Sequence, residues 1–151
     1  MIPALLLLAG AAATTGAPLV VQVGNVRNAH GRVIVAICPQ DKWLAENCAI
    51  SGSVPAHPGV TTVTIEHVPP GEWGAQAFLD ENGNTEIDRG IFGIPKEGVG
   101  FSRDAKIVMS PPKWRDAVFN HGAAAQTISF SLRYFTGPKS PEEWRKEKGG
   151  Q

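Results

Sequence analysis

The chain has 151 residues, of which 42% are hydrophobic, and its 14 basic residues balance 14 acidic ones. This length and composition are typical of one globular domain with a core, and they argue against a multidomain chain. A neutral protein also lacks the field that attracts nucleic acid, so we expect no such partner. Glycine, at 17 residues, and proline, at 12, separate short Val-rich runs, which predicts a mostly-β fold.

Residues 1–17, "MIPALLLLAGAAATTGA", contain no charged side chain and pass from an apolar run to small residues. This order is typical of a secretory signal peptide, with cleavage after Ala13 or Ala17. We therefore expect a periplasmic or secreted protein. The run is too short for a bilayer span, so we expect no transmembrane segment in the mature chain. The missing Lys or Arg near Met1 departs from the pattern, and the alternative is an apolar first strand.

Two cysteines, Cys38 and Cys48, stand close together in "CPQDKWLAENC". In an exported protein, such a pair predicts a disulfide, and the spacing excludes a CxxC redox site. The alternative is two buried free thiols.

Apolar alternation predicts strands from the start of the mature chain. "PLVVQVGNV" and "RVIVAIC" read as two strands, and the turn formers "RNAHG" between them predict a hairpin. The segment from Cys38 to about Gly59 is expected to be a disulfide-closed loop with one helical turn at "DKWLAE". Further strands are predicted at "VTTVTIEHV", "EWGAQAFL" and "QTISFSLRYF", with a turn at "PPG".

The chain from Asp80 to about Ala123 has no strong period, which predicts one long Gly-rich loop. Within it, "DAKIVM" reads as a short strand and "PPKWRDAVF" as a turn with a helical piece. We expect a small antiparallel β-sandwich over residues 18–135. Residues 136–151 should form a polar, flexible tail in which Trp144 is the side chain able to dock on the domain.

The start of the long loop, "DENGNTEID", presents oxygen-bearing groups at alternate positions. A hard cation such as calcium takes six to eight oxygens, and alternate residues of a tight loop can face its concave side. The loop matches positions one, three, five, seven and nine of an EF-hand-type loop, and Ile87 stands at the apolar eighth position. The predicted ligands are Asp80, Asn82, Asn84, the main-chain carbonyl of Glu86, and Asp88.

Two positions depart from that pattern. The sixth, where a sharp turn favours glycine, is Thr85, and the twelfth, where a bidentate Glu closes the cage, is Ile91. Gly83 could supply the turn, and Glu97 or Asp104 could close the cage. Residues 80–104 carry six acidic and three basic side chains, so local charge favours a cation, with an affinity on the order of 0.1 to 1 mM. The alternatives are a polar Asn-Gly turn without metal, or another divalent ion.

No catalytic signature is present, and the four histidines are too dispersed for a zinc site. We therefore expect no enzymatic activity. A hydrolase using Asp80, Asp88 or Glu97 is a less favoured alternative, because carboxylates in an exposed polar loop lack the burial that separates acid from base. The stretch "GIFGIPKEGVGF" suits either a packed loop or a shallow ligand groove. Its candidate ligand-loop residues are Phe92, Pro95, Lys96, Glu97 and Phe101.

The stretches "GNVRNAHGRVIVAIC", "VPPGEWGAQAFLDENGN", "FGIPKEGVGFS" and "PPKWRDAVF" occur in an order that resembles an exported bacterial family known as domain of unknown function 2141. The likeness covers roughly residues 19–134. It implies a small transthyretin-like or immunoglobulin-like β-sandwich and brings no established activity. Members of the family tend to have glycine at the position of Thr85.

Two functions compete on these grounds. The first is an exported binding module in which a calcium-type ion orders the 80–104 segment for contact with a protein, glycan or envelope component. The second is a structural or envelope-associated domain without metal.

Overall fold

The structure is a computed structural model that describes residues 16–45, 47–83 and 96–148. Strands make up 47% of the structure and helices 14%, so the predicted mostly-β class is confirmed. The strands are β1 (Ala17–Val26), β2 (Arg32–Cys38), β3 (Ile50–Pro55), β4 (Gly59–Val68), β5 (Gly71–Asp80), β6 (Val99–Phe101), β7 (Phe119–His121) and β8 (Gln126–Ser131). The helices are α1 (Trp114–Ala117) and α2 (Pro141–Glu147), with 3-10 turns at Gln40–Lys42 and Ser102–Asp104.

The strands form two sheets. The three-stranded sheet has the order β4-β1-β8, in which β1 is antiparallel to β4 and parallel to β8. The larger sheet has the order β3-β2-β5-β6, entirely antiparallel, and β7 pairs with the start of β5. The expected antiparallel sandwich therefore contains one parallel pair, β1 with β8.

The core lies between the sheets, as strand alternation predicts. Every second residue of β1, β2 and β5 is removed from water and belongs to one apolar cluster. Burying one Val or Leu side chain contributes roughly 1.5 to 3 kcal/mol, so these rows provide most of the driving force for packing the sheets. The rows are Leu19, Val21 and Val23; Val33, Val35 and Ile37; and Ala75, Ala77 and Leu79.

The predicted hairpin of β1 and β2 is wrong. β1 is the central strand of the three-stranded sheet, with β4 and β8 on its two sides, so it has no open edge for β2. The "RNAHG" connection instead carries the chain from one sheet to the other, and Arg27 and Asn28 within it are buried. Turn-forming residues do not distinguish a hairpin from a crossing between sheets.

Three local predictions also need correction. The disulfide-closed loop contains a strand, β3, whose "SGS" sequence breaks the apolar alternation. "DAKIVM" is not a strand, because the 3-10 turn before it places Arg103 and Asp104 in left-handed conformations and Ala105–Ile107 is irregular. The predicted long loop contains two short strands, β6 and β7, whereas α1 confirms the helical piece predicted within "PPKWRDAVF".

The polar tail includes a helix that the sequence reading did not identify. Ser140 caps α2 by accepting a hydrogen bond from the Glu143 amide at 3.1 Å, and the Glu143 carboxylate accepts from the Lys139 amide at 2.7 Å. This reciprocal arrangement satisfies donors at the start of the helix. Trp144 lies on the domain, with its ring 5.2 Å from that of His30. No helix in the described part of the chain is long and apolar enough to cross a membrane.

Candidate functional site: the base of the 80–97 loop

Three chain segments meet where the predicted cation loop leaves the larger sheet. Asp80 is the last residue of β5, and Glu97 lies two residues before β6. The two strands pair Phe78 with Val99, and the Leu79 amide donates to the Gly98 carbonyl at 3.0 Å, so Asp80 and Glu97 occupy neighbouring positions across the ladder. Arg27 and Asn28, just after β1, complete a group that we call the loop-base cluster: Arg27, Asn28, Asp80, Glu81 and Glu97.

Arg27 is the cation of this cluster and is only 6% exposed. Its Nε donates to Glu81 Oε2 at 3.0 Å and its Nη2 to Glu81 Oε1 at 2.6 Å, a bidentate pair. Its Nη1 donates to the carbonyls of Thr136 at 2.9 Å and Pro138 at 2.8 Å. A buried arginine is tolerated when its donors are satisfied in this way. The guanidinium therefore joins the start of the loop to the C-terminal segment.

Two aromatic rings contact the same guanidinium. Its central carbon lies 4.5 Å from the Tyr134 ring centroid and 5.6 Å from that of Trp144, both within the range of cation–π attraction. The Tyr134 hydroxyl accepts from the Arg27 amide at 2.9 Å and donates to the Asn25 carbonyl at 2.8 Å. Burial raises the pKa of Tyr134 well above its ordinary value, so this hydroxyl keeps its proton and its role as donor.

The carboxylates of the cluster are held by backbone and amide donors. Glu97 accepts from the Glu81 amide at 2.7 Å, and Glu81 also accepts from the Asn28 side-chain amide. Asp80 is 1% exposed and Glu97 3% exposed, and both have interaction partners. The described residues of the cluster thus include three carboxylates and one guanidinium, which pairs with Glu81.

The structure brings some of the predicted site residues together and does not describe others. Asp80 is fixed at the strand end, Asn82 is exposed in the turn that follows, and Glu97 reaches back to the same turn. Asp104, the other residue considered for closing the cage, accepts from the Ser131 amide at 2.8 Å, beside β8. The predicted ligands Asn84, Glu86 and Asp88 lie outside the described residues.

Within the described ranges, no three His, Cys, Asp or Glu side chains are grouped so as to hold a metal ion by themselves. An ion at the loop base would therefore need ligands from residues 84–95 or from main-chain carbonyls.

The candidate ligand-loop residues are dispersed. Lys96 is exposed, and its carbonyl accepts from the Thr136 hydroxyl at 3.1 Å. Phe101 is the last residue of β6 and belongs to a second apolar cluster, where its ring centroid is 5.8 Å from that of Trp43. This position favours packing over ligand contact for Phe101. Phe92 and Pro95 lie outside the described residues.

Sequence reasoning missed Arg27, Asn28, Tyr134 and Trp144 as members of one site. Arg27 and Asn28 read as turn residues, and Tyr134 as an ordinary core aromatic. A signal was present, because Arg27–Asn28, Asp80–Glu81 and Glu97 fall in three of the four stretches that carry the family resemblance. In the structure those three stretches meet at the loop base.

The disulfide prediction agrees with the structure. Cys38 and Cys48 are paired at disulfide distance, with their Cα atoms 5.4 Å apart, and no free cysteine is found in the described ranges. Cys38 ends β2 opposite Gly74 of β5, whereas Asp80 of the loop-base cluster lies opposite Arg32, at the other end of the same ladder.

Comparison with known proteins supports the resemblance seen in the motifs. The model of the family described as "Uncharacterized protein conserved in bacteria (DUF2141)" matches residues 21–129. No curated protein and no solved structure gave a significant match. The matched range runs from the middle of β1 through most of β8 and includes every residue of the loop-base cluster, and the chain therefore belongs to the DUF2141 family of bacterial proteins.

Proposed function

We propose that the protein is an exported β-sandwich binding module whose loop from Asp80 to Asp88 holds a calcium-type ion. The observation that carries this proposal is the pair of buried carboxylates, Asp80 and Glu97, at the two ends of one loop. In this proposal the bound ion orders the loop, and the ordered loop then contacts a protein, glycan or envelope component.

Rigid support at the loop ends favours binding. Asp80 is held by the β5 ladder opposite Arg32, and Glu97 by its hydrogen bond from the Glu81 amide. An ion that finds two ligands already positioned has less conformational entropy to overcome than one that must gather a free loop. The acidic balance of residues 80–104, with six acidic and three basic side chains, supplies the electrostatic attraction. The proposal includes no catalytic activity.

Calcium suits this loop better than magnesium. Its coordination is flexible and accepts carbonyl and amide oxygens, whereas magnesium requires a small octahedron and sheds water reluctantly. With few charged ligands in the alternating motif, the dissociation constant should be on the order of 0.1 to 1 mM.

The test is a calorimetric titration and a thermal melt of chelator-treated protein. Calcium at about 10 mM should raise the melting temperature, since an ion at roughly 100 times its dissociation constant adds about 2.7 kcal/mol and at ten times about half that. Magnesium should do less. Asp88→Ala should abolish the calcium effect and leave the fold intact. Thr85→Gly should tighten calcium binding, because glycine adopts the positive φ that the sixth position of such a loop favours more readily than a β-branched residue does.

Glu66→Gln is the matched control, because Glu66 is an exposed carboxylate on β4, in the other sheet. It should leave the calcium response unchanged. Asp80→Asn keeps the size of the side chain and removes its charge. Loss of calcium binding in this variant would therefore show that binding requires the charge of Asp80 and not only its shape. If the stripped protein shows neither heat nor a shift in melting temperature with calcium, the loop is a polar turn.

The second candidate, a metal-free structural domain, is favoured by one specific observation. Glu81 is already neutralised by the bidentate contact with Arg27, which stabilises the loop base without any ion. The same titration separates the two functions, because a structural domain gives no calcium response in any variant.

A further inference from the structure

A short loop projects from the edge of the larger sheet with two apolar side chains at its end. Residues 105–113 connect the Ser102–Asp104 turn to α1. Val108 is 70% exposed and Met109 is fully exposed, whereas the other large apolar side chains of the described chain are at most 59% exposed. We call Val108 and Met109 the loop tip.

Both ends of this loop are fixed to the domain. Ala105 is buried and Ile107 packs against the second apolar cluster, which also contains Phe101 and Ala117. On the other side, the Trp43 indole donates to the Pro112 carbonyl at 2.9 Å. Met109 has a φ of 59°, a left-handed conformation that is unfavourable for a residue with a side chain. The loop tip is therefore exposed to solvent, while the residues on both sides of it are packed or hydrogen-bonded to the domain.

The stem of the loop is cationic. Residues 103–116 contain four basic and two acidic side chains, although the chain as a whole is neutral. An open groove of about 470 Å³ beside the tip is lined by three of these basic side chains, Arg103, Lys106 and Lys113, and by both acidic ones, Asp104 and Asp116. One of the two acidic groups, Asp104, is occupied with the Ser131 amide.

We propose that this loop docks on the surface of an anionic phospholipid bilayer, with Val108 and Met109 inserted among the lipids and the basic stem against the headgroups. Membrane-surface binding combines buried apolar area with attraction of Lys and Arg to anionic lipid, and both are present here within a dozen residues. A bilayer fits better than a protein partner, because two side chains on one narrow tip are too little for a stable protein interface. The proposal is independent of the cation loop.

The test is co-sedimentation of the mature protein with vesicles of phosphatidylglycerol and phosphatidylcholine, compared with phosphatidylcholine alone. The protein should bind the anionic vesicles, and high salt should weaken binding because exposed charges are screened. Met109→Asp should lower partitioning more than tenfold by removing apolar insertion and adding a negative charge. Lys106→Gln and Lys113→Gln should each lower it about fivefold.

Val60→Asp is the matched control, since Val60 is an exposed valine on β4, at 59% exposure. It should bind like the parent protein, and the melting temperatures of all variants should stay close to that of the parent because every site is exposed. Failure of the parent to bind anionic vesicles at low salt would overturn the proposal. The proposal would also be overturned if Met109→Asp and Val60→Asp bound the anionic vesicles to the same extent, whether both kept binding or both lost it.

Discussion

Gly98 lies against the ring of Tyr134 with no room for a side chain. A Cβ built there falls 2.5 Å from Tyr134 Cε1 and 2.7 Å from Cζ, closer than packed atoms approach. Because the ring is held by Arg27 and by its own hydroxyl, it has little freedom to move. We expect Gly98→Ala to lower the free energy of unfolding by about 1 to 3 kcal/mol, measured by urea titration.

Gly122→Ala is the control for this substitution. No atom lies within 4 Å of its added Cβ, and its backbone is outside the left-handed region. Alanine there should leave stability unchanged or raise it by less than about 1 kcal/mol. Equal effects at both glycines would mean that the contact with Tyr134 is not what requires glycine at position 98.

Tyr134 is the sole tyrosine of the chain, so its ionisation can be followed directly by ultraviolet absorbance. Burial raises the pKa of its hydroxyl in the folded state, whereas in the unfolded chain it titrates near its ordinary value of about 10. The stabilisation from the protonated hydroxyl is therefore complete below about pH 10 and is lost as the pH rises above that value.

Native protein should accordingly form tyrosinate only at a pH where it begins to unfold, whereas protein in denaturant should titrate near pH 10. The same midpoint in both conditions would contradict the burial of this hydroxyl.

At this scale the sequence predicted which residues face the core but not which polar residues would be buried. Alternation in β8 and beyond identifies Tyr134 as inward-facing, and Asp80 is evident as the residue ending β5. Arg27 could not be recognised, because its burial depends on Glu81, Tyr134 and Trp144, which are 54 or more positions away. Such a contact leaves no mark in the local pattern.

The disulfide crosslinks the connection between β2 and β3. The last pair of that ladder joins Ile37 to Ile50, and the two cysteines lie just beyond it. Replacing both by alanine should lower the free energy of unfolding by roughly 2 to 3 kcal/mol, because the open loop gains entropy in the unfolded chain. Denaturant titration measures the loss.

Thiol labelling checks the pairing itself. Denatured but unreduced protein from its native compartment should take up no label. Labelling of both cysteines would show that the thiols are free in the cell.

Among the elements, long alternating strands were predictable and the way they are joined was not. β4, β5 and β8 follow a two-residue period over six to ten residues, which one buried face requires. β3 has glycine at the inward-facing position between Ile50 and Val54, and β6 and β7 have three residues each, too few to show a period. The predicted pairing of β1 with β2 was wrong because turn-forming residues indicate that the chain bends but not which sheet the next strand joins.

For the whole molecule, the apolar start predicts export. Protein recovered from the periplasm or medium should have an intact mass that begins near Pro18. Intact mass spectrometry of fractionated cells measures this. A chain that still carries residues 1–17 would contradict the assignment of that segment as a signal peptide.

The parallel pairing of β1 with β8 determines the order in which the protein can fold. Gln22 and Ser129, which share a hydrogen bond across these strands, are 107 positions apart. β1, the first strand of the domain to be synthesised, pairs on one side with β8, the last. That edge of β1 therefore stays unpaired until nearly the whole domain has been synthesised. Contacts of such long range slow folding, since the chain must close a large loop before they form. A nascent chain thus exposes an apolar strand edge until β8 is made, and an unpaired edge of this kind is open to aggregation.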